Sequence, residues 1–65
     1  VKVVLVGYRD WNDEKWVDRY IVVDKIIFFN VCHYDSNETR VHFENTHFVV
    51  NVNPDEFARM CGFIK

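Results

Sequence analysis

Glycine, proline and serine are nearly missing from this chain: Gly7, Gly62, Pro54 and Ser36 are the whole supply in 65 residues. A phosphate-cradling loop needs several glycines so that backbone N–H groups can close on the anion, and here it has nothing to be made from. Ser36 has no glycine-rich elbow around it, which removes the usual setting of a serine nucleophile. There is no basic run and the net charge is −2, so phosphate contacts of the kind that dominate nucleic-acid affinity are not indicated. No dense acidic block is present either, and with it goes mimicry of a DNA surface. Apolar runs are short. Ile26 to Phe29 is as long as any and far below the roughly 20 residues that cross a bilayer, so no membrane partner is expected. Val1 to Val6 lacks the long apolar region and small-residue cleavage site of a secretory leader, which leaves a cytoplasmic location as the expectation. Two cysteines are too few for a disulfide framework and agree with that setting, although a Cys32–Cys61 bridge stays open at this point. Asn37-Glu38-Thr39 fits a glycosylation acceptor by spacing alone.

Aromatic side chains are what the chain has in excess. Six Phe, three Tyr and two Trp make up 17% of a single domain that has no room for a second core. A core of this size is worth only about 3–5 kcal/mol, so rings this large either enlarge it or form a surface held for a partner.

Gly7 to Tyr20 reads as a hairpin tip in which Trp11 and Trp16 flank the turn Asn12-Asp13-Glu14-Lys15. Setting Trp11 opposite Trp16 pairs Arg9 with Asp18, Tyr8 with Arg19, Val6 with Ile21 and Val4 with Val23. Val4, Val6 and Tyr8 then share one face of the first strand, and Val3, Leu5 and Gly7 the other. A short helix over Asp10 to Tyr20 competes with this reading but lacks an apolar stripe. After a turn or bulge at Asp24-Lys25, Ile26 to Tyr34 forms a third strand that is apolar on both sides. Such a strand is expected at the centre of the sheet or at a subunit interface. Asp35-Ser36-Asn37-Glu38 supplies a polar loop.

Alternation is cleanest in Thr39 to Glu44, which turns at Asn45-Thr46 into His47 to Val52. Matching Phe43 with Phe48 aligns Val41 with Val50, and Phe43, Val41, Phe48, Val50 and Val52 make one apolar face. His42, Glu44, His47 and Asn51 fall on the solvent side. A short helix follows with full punctuation: Asn53 as N-cap, Pro54 in the first position, Glu56 at the capping-box position and Gly62 as the stop. Phe57, Met60 and Cys61 share its apolar side, and Phe63 and Ile64 are expected to fold back onto the sheet. The class is α+β: a five-stranded antiparallel sheet, strongly twisted or partly open as a small barrel, with one short C-terminal helix.

The segments YIVVDKIIFF and TRVHFENTHFVVNVNPDEF resemble small flagellar FlbD-type proteins and LytTR-type domains. In those, a strand with a Val-Asp-Lys-Ile-like corner precedes a β-hairpin and a short helix. The resemblance covers Tyr20 to Phe57 and implies a compact β-rich regulatory module, with DNA contact through loops in the LytTR-like version. Against DNA contact, the hairpin turn lacks its glycine and the loops lack clustered Arg or Lys.

Few side chains are arranged for chemistry. His42, Glu44 and His47 are too few to hold a metal without a further shell, and ordinary solvated strand positions explain them. Cys32 and His33 are neighbours on a strand and point to opposite faces. Cys61 sits at the wrong end of a helix for a lowered thiol pKa. Asp13-Glu14 and Asp55-Glu56 read as turn solvation and helix N-terminal charge. No catalysis, cofactor or metal is therefore expected. What remains is the aromatic hairpin, with Tyr8, Arg9, Trp11, Lys15, Trp16, Arg19 and Tyr20 as candidate partner-binding residues, since Trp, Tyr and Arg dominate binding hot spots. The function expected is non-enzymatic regulation or inhibition by binding a protein, in the manner of an inhibitor carried by a phage or mobile element. Two alternatives stand beside it: a LytTR-like DNA-binding regulator, and a homo-oligomeric structural subunit that buries Ile26 to Phe29 between two copies.

Overall fold

The computed structural model describes residues 2–9 and 15–65. Five strands, β1 (Val3–Arg9), β2 (Val17–Val22), β3 (Phe28–Val31), β4 (Thr39–His42) and β5 (His47–Val50), precede one helix, α1 (Pro54–Cys61). They form one antiparallel sheet in the order β2-β1-β5-β4-β3. Trp11 lies outside the described residues.

The chain crosses from one edge of the sheet to the other between β2 and β3, through a 3-10 turn at Val23–Lys25. In a flat sheet those edges would stand about 19 Å apart. A 3-10 turn and two further residues reach only about 15 Å. The sheet therefore curls around its inner face without closing into a barrel. That face carries Val4, Val6, Ile21, Val23, Val41 and Val50, and α1 covers it with Phe57 and Cys61. Phe57 is wholly buried, its ring edge-on to Phe29 at 5.1 Å.

The helix begins and ends as its residues dictate. The Asn53 side chain accepts from the Glu56 N–H at 2.8 Å, and Pro54 opens the first turn. Gly62 adopts φ 82°, a left-handed conformation that costs a glycine nothing, and Phe63 N–H closes the cap on the Ala58 carbonyl.

Both hairpins are shifted by two residues from the pairing read off the sequence. Val4 faces Ile21 and Val6 faces Arg19, in place of Val23 and Ile21; Gly7, not Arg9, faces Asp18, and Tyr8 faces Val17. A two-residue shift keeps every side chain on its face, so burial does not choose between the registers. The backbone bonds do: Val23 N–H donates to the Lys2 carbonyl at 2.9 Å, which extends the observed ladder by one pair, while the Val23 carbonyl accepts from Ile26 N–H at 3.1 Å and turns the chain out of the strand. In the other hairpin Val41 faces Phe48 and Thr39 faces Val50. Its tip is Glu44-Asn45 rather than Asn45-Thr46, because Phe43 N–H donates to the Thr46 carbonyl at 2.8 Å. Phe43 and Phe48 still stack, diagonally, at 5.0 Å. The expected inward set of Val41, Phe43, Phe48, Val50 and Val52 does pack on the core.

The third strand is not central. β3 pairs with β4 alone and forms an edge, with Ile27, Phe28 and Val31 exposed. Its apolar outer residue Phe28 stacks on His42 at 4.1 Å, while Phe29 serves the core. Phe63 reaches back to stack on Phe29 at 5.8 Å, but Phe63 and Ile64 remain about half exposed.

At the β1–β5 junction the Asn51 side-chain oxygen accepts from Gly7 N–H at 3.1 Å, while Asn51 N–H donates to the Gly7 carbonyl at 2.9 Å. A Cβ at position 7 would lie 2.6 Å from the Asn51 amide nitrogen. Gly7→Ala should displace that side chain and lower stability by about 1–2 kcal/mol, the range of one lost hydrogen bond with local strain. Urea unfolding measures it, and Gly7→Ala combined with Asn51→Ala should cost less than the sum of the two singles.

Candidate functional site

Strand alternation and the observed register divide the predicted hairpin residues between two faces. Tyr8 and Arg19 lie on the inward side. The Tyr8 ring stands edge-on to Phe48 at 4.8 Å, and the Arg19 guanidinium covers Tyr8 at 4.5 Å. That cation–π contact, expected from direct pairing, forms diagonally instead. Arg9, Trp16 and Tyr20 lie on the outward side. Lys15 is exposed at the return of the hairpin. The described residues of the set therefore do not make one surface, and Trp11 lies outside the described residues.

The outward group is ordered by its neighbours. Continuing the register past Tyr8 and Val17 brings Arg9 beside Trp16, with its guanidinium 5.2 Å from the indole centroid. The same guanidinium donates to Glu38 at 3.2 Å, so it is held from two sides. Trp16 is 41% exposed and Tyr20 69%. Their backbones are about 13 Å apart along the strand, with Asp18 between them. Sequence reasoning missed the residues that complete this surface. Leu5 faces Tyr20 and Val3 faces Val22, and both Leu5 and Val3 are about half exposed. Their odd numbering, shared with Arg9 and opposed to Tyr8, was the available signal.

Hollows open on both faces of the sheet among the described residues. One of about 630 Å³ opens along the β4–β5 tip against Lys25, Ile27, Phe43 and Phe48. Another, about 320 Å³, lies on the outer face between Arg9, Cys32, Tyr34, Arg40 and Val49. Val49 and Cys32 are buried there, among Arg9, Tyr34 and Arg40. Cys32 and Cys61 are both buried and unbridged. Burial pushes the Cys61 thiol pKa up, opposed in part by Lys2, which keeps it protonated at neutral pH. Among the described residues, no group of three or more His, Cys, Asp or Glu is placed to hold a metal ion. No helix among them is long and apolar enough to cross a membrane. Compared with protein-family models, curated proteins and solved structures, the chain has no significant match.

His42 and His47 face each other across the β4–β5 hairpin and stack at 5.3 Å, extending the Phe28–His42 stack into a row of three rings. Burial first, then His47 and Arg40, hold the His42 pKa below its ordinary value. The unfolded chain therefore takes up a proton at His42 more readily than the native one. This contribution to stability is present above about pH 6.5 and is lost as pH falls through that value toward the depressed native pKa. The melting temperature should drop between about pH 7.5 and 5.5, and His42→Gln should flatten that drop. An unchanged slope in the variant would remove His42 from the row's energetics.

Proposed function

We propose that this chain is a non-enzymatic binding protein that regulates or inhibits another protein by docking on it through the outward face of the β1–β2 hairpin. One observation carries the reading: Trp16 and Tyr20 stand exposed on a single face with Leu5 and Val3, while Phe57 and the inward valines fill the core without them. Rings of this size repay burial only against something else, and Trp, Tyr and Arg are the types that anchor protein interfaces. Arg9 is already positioned by Glu38 and Trp16, so little side-chain freedom is lost when a partner covers it. The mode of action is occlusion. The rings enter the partner's pocket and the body of the sheet blocks access to it.

Trp16→Ala combined with Tyr20→Ala tests this. The circular dichroism and melting curve should stay close to those of the parent chain, since both side chains are largely outside the core. Capture of specific proteins from host lysate, read by mass spectrometry, should fall at least about tenfold, as expected when two hot-spot residues are removed. Equal capture by parent and variant would place the binding surface elsewhere, and collapse of the fold would return both rings to a structural role.

A further inference from the structure

Among the described residues the sheet has two open edges, and they are built differently. β2 carries Asp18 and Arg19 within its span, the kind of charge that discourages pairing with a further strand. β3 carries no charge, and neither does any residue from Ile26 to Tyr34, nor is there a proline in that run. Cys32 N–H donates to the Glu38 carbonyl at 3.0 Å, which fixes Phe28 and Asn30 as the residues of β3 bonded to β4, while Ile27 N–H, just before the strand, donates to the His42 carbonyl at 2.9 Å. The N–H and C=O groups of Phe29 and Val31 therefore point away from the sheet. Around them stand Ile27 (61% exposed), Phe28 (53%) and Val31 (51%), with Phe63 stacked on Phe29 and half exposed alongside Ile64.

We infer that β3 pairs with β3 of a second copy, antiparallel and about a two-fold axis, to give one continuous sheet. A second copy fits for three reasons. An edge without charge has no preference for a charged partner segment. Antiparallel pairing of like with like keeps inward residues opposite inward residues whenever paired positions are both odd or both even, so Phe29 and Val31 can exchange their outward bonds with Phe29 and Val31 of the other chain. The exposed parts of Ile27, Phe28, Val31, Phe63 and Ile64 amount to about 400 Å² of apolar surface, taking about half of each side chain's area. A stable interface needs roughly 800 Å² from each partner, of which a little over half is apolar. The exposed apolar surface along β3 is of that size. The pairing leaves the outward face of β1–β2 at the opposite edge of each sheet, so a dimer would present two copies of the hairpin surface.

The test is the mass of the full chain by sedimentation or light scattering across concentration, with amide hydrogen exchange on the same samples. The mass should rise from the 7.9 kDa of one chain toward twice that by about 1 mM, by mass action. The Phe29 and Val31 amides should become protected as it does, while those of Tyr20 and Val22 on the β2 edge stay unchanged. Val31→Lys should return the mass to that of one chain, and Val17→Lys on the other edge should leave the dimer intact. Three results would overturn the inference: a chain that stays monomeric at that concentration, protection that maps to β2, or a dimer indifferent to Val31→Lys in a folded variant. Should Val31→Lys fail to fold, the exchange map of the unaltered chain still decides. Loss of lysate capture by the Trp16 and Tyr20 variant is independent of this outcome, so the two readings fail separately.

Discussion

A helix of eight residues, about 12 Å long, has to close the inner face of a five-stranded sheet, and Phe57 is the side chain that does it. Its ring is fully buried, braced edge-on by Phe29 and surrounded by valines from the inner face. Removing a buried phenylalanine costs about 3–5 kcal/mol, which is the whole stability expected of a domain this small. Every other feature is conditional on that plug. The curl of the sheet brings β2 and β3 close enough for a 3-10 turn to join them, and the curl persists because there is one ring at its centre rather than a second layer of helices.

With a single face closed, the described aromatic residues divide. Phe29, Phe57, Phe48, Phe43 and Tyr8 pack on or around the core, whereas Trp16, Tyr20, Phe28 and Tyr34 are exposed and Phe63 is half exposed. Trp16 and Tyr20 stand at the β2 side of the sheet and Phe28 at the β3 side. This separation gives the molecule two independent apolar surfaces, one proposed for a foreign protein and one for a second copy. Between them the outer face is polar or stacked, with Arg9 tied to Glu38 and the His42–His47 pair next to Phe28.

Much of this arrangement was legible in the residues, because period-two alternation assigns faces without knowing pairings. The helix was readable to its caps, since Asn53, Pro54 and Gly62 each act through local backbone geometry. Registers were not readable. A shift of two residues leaves Val4, Val6, Val41 and Phe48 on the same side, and the contacts that choose between the options are backbone bonds such as Val23 to Lys2. The neighbourhood of β1 and β5 was also invisible, because Gly7 and Asn51 meet from 44 positions apart with no local signal. Of the two places expected for β3, the centre of the sheet or a subunit interface, only the central one is excluded by the strand order, and the sequence could not separate them for a related reason. An apolar residue on each face is what a buried strand shows, and it is also what an edge shows when its outer side serves a stack or a further copy. The hairpin surface was half legible: Trp16, Arg9 and Tyr20 were named, but Tyr8 and Arg19 were grouped with them against the alternation that places them inward.

The outward standing of the Trp16 indole can be measured directly by acrylamide quenching of its fluorescence in a Trp11→Phe background. Quenching of the folded chain should already be a substantial fraction of that of the same chain unfolded in urea, since Trp16 is 41% exposed. An indole shielded from acrylamide until the chain unfolds would mean that Trp16 belongs to the interior, and the hairpin would then have no surface to offer a partner.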